Sequence, residues 1–247
     1  MSSAPVLAAA GQVGEGFFHE RTSGSLPCQA RPDEVFCFDW ARQNIDRFGT
    51  PTVQHLELVL LSVVFGFAIA FALALLAHRT RWLRPPLLAA TGVLYTIPSL
   101  AFFFLLLPLT GLGRDTAVIV LAAYTLQIIY RNTVVGLANV PAPVRDAARG
   151  MGLTESQILW RVEVPLATPE IIAGLRIATV STVAIATLAV FVGAGGLGTQ
   201  IYGSGNLTVP TSIIIAAAIA IAMALALDAV LLTVQRLTIP WRKVRTI

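Results

Sequence analysis

The chain has 247 residues, of which 56% are hydrophobic and only 12% charged, with a formal net charge of +4. A soluble domain of this size carries about 25% charged residues, so this composition, with a mean hydropathy of +0.77, excludes an ordinary water-soluble globule. The basic excess does not indicate a nucleic-acid binder, because the arginines are placed between apolar blocks and not along one patch.

Residues 1–51 read as a polar tail rich in Gly, Pro and Ser, and residues 1–16 lack the basic start of a cleavable leader. The tail holds both cysteines, Cys28 and Cys37, which could close a small disulfide loop in an oxidising compartment or stand as two thiols. Apolar Phe36, Trp40 and Phe48 suggest that residues 33–48 form a helix along the membrane surface.

Residues 58–77, 85–113 and 177–227 contain no Asp, Glu, Lys or Arg. About 20 apolar residues cross a bilayer core of about 30 Å, and backbone groups in lipid must pair within their own segment. The fold class is therefore all-α and polytopic. Five transmembrane helices are expected near 55–77, 86–110, 115–137, 169–192 and 209–234, within a membrane domain of residues 52–240, followed by a short tail at 241–247. One set of connections holds Arg79, Arg81, Arg84, Arg145, Arg149, Arg161 and the basic C-terminal residues, whereas the opposite set holds few. Basic residues stay on the cytoplasmic side, so the N-terminus is expected outside and the C-terminus inside a bacterial cell membrane. His78 and Trp82 then fall at the membrane surface, and the three histidines show no metal-ligand spacing.

Residues 138–168 form the longest internal connection. Pro143 suits a helix start, Gly152 suits a helix end, and Thr154 with Gln157 matches a capping box. A helix–turn–helix is expected there, stopped by Pro165 and Pro169 before the fourth span. The small Ala147 and Ala148 would admit a close partner, flanked by Arg145 and Arg149.

Asp146-Ala147-Ala148, three residues, Gly152, nine residues, then Val162-Glu163-Val164-Pro165 resembles the EAA loop of ABC importer permeases, with Asp for Glu and Val for Ile and Leu. The resemblance implies a type I importer permease fold, in which Arg145, Asp146, Ala147, Ala148, Gly152 and Pro165 belong to the coupling loop that docks on a cytoplasmic ATPase dimer. It also implies a second permease protomer, identical or paralogous, and an extracytoplasmic substrate-binding protein. Tyr95-Thr96-Ile97-Pro98-Ser99-Leu100-Ala101, Arg131-Asn132-Thr133, Ala173-Gly174-Leu175-Arg176 and the turn from Val192 to Gly198 look like the osmoprotectant permeases for glycine betaine, choline and carnitine. Methionine and other amino-acid permeases share the five-span core and remain the first alternative; an ion-coupled secondary transporter, the second, would need more intramembrane carboxylates than Asp228 and usually an internal repeat.

Gly193, Gly195, Gly196 and Gly198 satisfy G-x-G-x-x-G by letter, but a dinucleotide site needs that pattern between a strand and a helix. Here they fit an outer gate or tight turn before the last span. No G-x-x-x-x-G-K-[ST] occurs, so ATP and Mg are expected on the partner ATPase, with no cofactor, catalytic residue or metal on this chain. Arg176 and Asp228, each about 10–12 Å inside a span at 1.5 Å per residue, are expected to form a structural ion pair. A quaternary ammonium has no N–H to donate and is held by cation–π contact. Tyr95, Pro98, Ser99, Tyr124 and Phe191 are the pathway candidates, with Phe102, Phe103 and Phe104 as further aromatics.

Overall fold

The computed structural model describes residues 36–202 and 210–238. A short helix α1 (Phe38–Asn44) and a 3-10 turn (Ile45–Phe48) lead into α2 (Gly49–Arg79); a second 3-10 turn (Arg81–Leu83) joins it to α3 (Arg84–Thr96). There follow α4 (Ser99–Thr110), α5 (Arg114–Ala138), α6 (Ala142–Gly150) and α7 (Glu155–Ile158). A π-helical segment (Leu159–Glu163) runs into α8 (Val164–Ala186) and a 3-10 stretch (Thr187–Val192), and α9 (Gly198–Tyr202) precedes α10 (Pro210–Thr238).

Among the described residues four helical runs, 38–79, 114–138, 155–192 and 210–238, are long and apolar enough to cross a membrane. The expected second span is not one rod. Residues 81–96 and 99–110 meet at 99°, so the pair is a broken span or a re-entrant loop. Pro98 causes the break: its ring removes the N–H and drives the preceding residue out of the helical region, and Ile97 is extended at φ −65°, ψ 127°.

The expected stop at Pro165 and Pro169 is also corrected, because helix continues from α7 through α8. Val164 donates its N–H five residues back to Leu159. The ladder has already widened where Pro165 withdraws its N–H, and Pro165 then sits in the first turn of α8, where no donor is needed. Pro169 is carried inside α8.

Helix α5, the least apolar of the expected spans, lies at the centre and packs on both α2 and α8. Its approach to α2 rests on Gly66, where a Cβ would lie 1.7 Å from Thr125 Oγ1; small residues let membrane helices touch backbone to backbone. The core around them includes Leu58, Val59, Phe103, Leu121, Val183 and Leu197. In α10 only Thr211, Ser212, Ala216 and Ala220 are buried, which places that helix at the edge. Residues 38–48 are helical and pack on α9 and α10. Cys37, Trp40 and Phe48 are buried against Ala216, Ile201, Ile215 and Ile219, leaving Phe36 and Phe38 exposed.

Candidate functional site

The connection between α5 and α8 is a compact two-helix unit. Pro141 caps α6, whose end is closed by two bonds, from Gly152 N–H to the Arg149 carbonyl at 2.9 Å and from Leu153 N–H to the Ala148 carbonyl at 3.2 Å. This is the Schellman arrangement, which requires a left-handed residue, and Gly152 has φ +81°. The capping box forms: Gln157 N–H reaches Thr154 Oγ1 at 3.4 Å, and Thr154 N–H reaches Gln157 Oε1 at 2.9 Å. Arg149 bonds Glu155 at 2.9 Å and Asp146 at 3.2 Å. The bond to Glu155 raises the guanidinium pKa further above its ordinary value, but pairs this exposed contribute little to stability. Ala148 is buried, whereas Asp146, Ala147 and Gly152 face outward. The unit thus presents a small-residue ridge away from the bundle.

A buried network ties this unit to the membrane helices. Glu163 is 5% exposed. One carboxylate oxygen lies 2.8 Å from His78 Nε2, and the other 3.5 Å from an Arg145 nitrogen. Arg84 in turn approaches His78 Nδ1 at 3.3 Å, so the proton of a neutral ring sits on Nε2 and is donated to Glu163. His78 is partly buried, its side chain 14% exposed, while Trp82 is 74% exposed. Neither Glu163 nor His78 stands out in the sequence as a site residue. The available signal was a carboxylate between Val162 and Val164, with Arg161 as the other charge in a largely apolar run.

Arg176 and Asp228 meet in a forked pair, both N···O distances being 2.8 Å. Gln235 accepts from Arg176 at 3.4 Å and donates to the Pro169 carbonyl at 3.2 Å. Together they fasten the edge helix α10 to α8, beside a cavity of about 530 Å³.

Four pathway candidates gather at the break between α3 and α4. Tyr124 donates its hydroxyl to the Ile97 carbonyl, which the break leaves without a helical partner. Its ring stands edge-on to Tyr95 and to Phe102, each with centroids 5.9 Å away. Tyr124, Phe102 and Phe103 are buried, whereas Tyr95, Pro98 and Phe104 are exposed, so within the Tyr95–Tyr124–Phe102 cluster Tyr95 is the open aromatic face. Phe191 is elsewhere, its ring tilted at 46° against Tyr202 with centroids 5.0 Å apart.

The glycine turn lies at the opposite end of α2 from the two-helix unit. Gly193, Gly195 and Gly196 have φ of 75°, 79° and 82°, the left-handed region that suits glycine. Gly198 sits where a Cβ would meet the Thr187 carbonyl at 1.9 Å. The turn is clamped by α2: Gly196 N–H reaches Gln54 at 3.2 Å, and Leu197 N–H reaches His55 Nδ1 at 3.3 Å. His55 Nε2 then donates to the Val183 carbonyl at 3.0 Å. His55 is fully buried, and its role is invisible in a sequence where histidine shows no pattern. Replacing it with alanine strands two backbone groups, each worth about 1–3 kcal/mol when buried and unpaired. His55→Ala should lower the thermal midpoint of the purified protein by several degrees; an unchanged midpoint would refute the clamp.

Cys28 lies outside the described residues, as do 239–247. Cys37 is buried, and its N–H donates to Thr211 Oγ1 at 2.8 Å.

Residues 62–244 match the family described as "Binding-protein-dependent transport system inner membrane component". The choline transport system permease protein OpuBD of Bacillus subtilis is 36% identical over 203 residues, covering 82% of this chain and 88% of the relative. The osmoprotectant import permease protein OsmW of Salmonella typhimurium is 41% identical over 160 residues, 63% of this chain and 74% of the relative. The carnitine transport permease protein OpuCB of Listeria monocytogenes is 38% identical over 163 residues, 66% and 75% respectively. An inward-facing structure of the MetNI methionine ABC transporter shares the fold, with TM-score 0.71 at 21% identity over 77% of this chain and 95% of that one. With its helical membrane bundle and its capped α6–α7 unit, this chain belongs to the binding-protein-dependent transport system inner membrane components, the multi-pass permease subunits of ABC importers.

Proposed function

We propose that this permease takes up quaternary-amine osmoprotectants such as glycine betaine, choline or carnitine. The observation that carries the substrate class is the likeness to choline, osmoprotectant and carnitine permeases at 36–41% identity. The exposed Tyr95 face beside the helix break supports it, because an aromatic face suits a cation that cannot donate a hydrogen bond.

In this reading α6 and α7 face the cytoplasm, supported by the bias of arginines to that end, and the N-terminus lies outside. Two permease protomers, the same chain or a paralogue, enclose the pathway. A cytoplasmic ATPase dimer binds ATP and Mg and docks on the ridge of Asp146, Ala147 and Gly152, while an external binding protein delivers substrate near the glycine turn. ATPase closure draws the α6 helices together. Because Arg145 and Glu163 join α6 to His78 at the end of α2, that displacement reaches a membrane helix without passing through a flexible loop. The chain itself performs no covalent chemistry; it converts the ATPase motion into alternating access.

The test is uptake of labelled glycine betaine and choline in a transport-deficient host, with the cognate ATPase and binding protein co-expressed. Gly152→Asp serves as the coupling-deficient control. Saturable uptake of either compound, lost in the control, is the expected result. An assembled complex that moves neither compound but takes up methionine or another amino acid would overturn the substrate class. Uptake indifferent to Gly152→Asp would overturn the coupling assignment.

A further inference from the structure

A cavity of about 780 Å³ lies between the elbow joining α2 to α3 and the α6–α7 unit. Five arginines line it: Arg79, Arg81, Arg84, Arg145 and Arg149. Two of them are neutralised, Arg145 by Glu163 at 3.5 Å and Arg149 by Glu155 at 2.9 Å. Among the described residues, no carboxylate lies within 4.0 Å of Arg79, Arg81 or Arg84. Three uncompensated guanidiniums around one cavity repel each other unless an anion with several oxygens joins them, and a guanidinium fork fits phosphate oxygens.

The position of the cavity indicates the source of that anion. It opens at the turn between two membrane helices, and Trp82, in the same 3-10 turn as Arg81, is 74% exposed. Exposed tryptophan at a helix end belongs to the headgroup layer. A second, apolar cleft of about 340 Å³ adjoins the first and shares Arg84 with it. It lies between α3 and α5, lined by Pro85, Leu88, Tyr130, Val134 and Val135, with Arg131 as its one further charged residue besides Arg84. A basic cavity at headgroup level continuing into an apolar cleft has the amphipathic form of a phospholipid, which neither free phosphate nor an acidic protein surface shares.

We propose that this composite site binds one anionic phospholipid, its phosphodiester held by Arg79, Arg81 and Arg84 and an acyl chain lying in the α3–α5 cleft. The lipid would sit against the residues that anchor α6 to α2. The site rests on the placement of this end at the cytoplasmic leaflet, whose anionic lipids attract such clusters, and is independent of which solute is carried.

The test uses the purified complex of permease and ATPase, titrated with phosphatidylglycerol, phosphatidylcholine of the same chains, or glycerol phosphate, and read by native mass spectrometry. Phosphatidylglycerol should bind at least ten-fold more tightly than phosphatidylcholine. At about 1 kcal/mol per basic side chain near an anionic surface, the Arg79→Gln/Arg81→Gln double variant should weaken it about thirty-fold. Val134→Trp, which fills the cleft, should also weaken the lipid, with both variants keeping the wild-type melting profile. Unchanged phosphatidylglycerol binding in the double variant would overturn the proposal. Equal binding of glycerol phosphate would reassign the cavity to a free anion. Release of the ATPase from the double variant would reassign it to a protein interface.

Discussion

Replacing Glu163 with alanine should separate ATP hydrolysis from transport. In the assembled complex, hydrolysis should continue while uptake per ATP falls by ten-fold or more. Glu163 holds two cationic or polar partners from different elements, His78 on α2 and Arg145 on α6, and its side chain is only 6% exposed. Deleting one partner of a buried ion pair costs about 3–5 kcal/mol, because the other is left desolvated and unpaired. The lower end applies here, since Arg145 keeps 23% of its side-chain exposure. That loss exceeds the attraction of the exposed pairs along α6, so α6 retains its fold but loses its fastening to α2.

Glu163→Gln discriminates between a mechanical and a merely structural role. The amide oxygen still accepts from His78 while the charge facing Arg145 is gone, so uptake per ATP should fall to an intermediate level. Hydrolysis and uptake measured together in proteoliposomes, alongside the melting temperature, decide the matter. If Glu163→Ala melts earlier yet moves the same amount of solute per ATP, the linkage is structural only and the coupling role is lost.

What the sequence made legible follows from interaction range. Gly152, the Thr154–Gln157 box and Pro143 act within one turn of backbone, and each does in the fold what its local chemistry predicts. The apolar blocks also read well, because lipid imposes helix on them. The expected span at 86–110 runs straight through Pro98, whereas the 99° bend there depends on Ile97 becoming extended and on Tyr124 donating its hydroxyl to the Ile97 carbonyl. Pro165 failed in the opposite sense: a proline that ends a helix in isolation is accommodated here by the π-helical widening before it. The clamp of His55 and the tether of Glu163 join residues 142 and 85 positions apart in the chain. No local pattern encodes such a pairing. The depth count placed Arg176 and Asp228 at one level of neighbouring helices, and the fold brings them into a forked pair.

Arg176 and Asp228 should behave as one unit in a double-mutant cycle. Asp228→Asn and Arg176→Gln each leave a charge on a membrane helix without its partner, and each should lower the melting temperature more than the double variant does. A coupling energy of about 1–3 kcal/mol is expected for contacting charges. The forked geometry, with two N···O distances of 2.8 Å, places the pair towards the upper part of that range. Partial exposure, 27% and 30% of the two side chains, pulls it down again. The pair is more than a fastening for α10 if it also meets the solute, since it borders the 530 Å³ cavity between α8 and α10. Uptake kinetics separate the two roles: a fastening changes the amount of assembled permease and leaves KM unchanged, whereas a solute contact shifts KM in the surviving protein. The charge-reversed variant Arg176→Asp/Asp228→Arg should recover part of the lost assembly, because attraction survives inversion although the fork to Gln235 does not. Additive single effects, with a coupling below about 0.5 kcal/mol, would show that the ion pair seen in the fold does not hold α8 and α10 together.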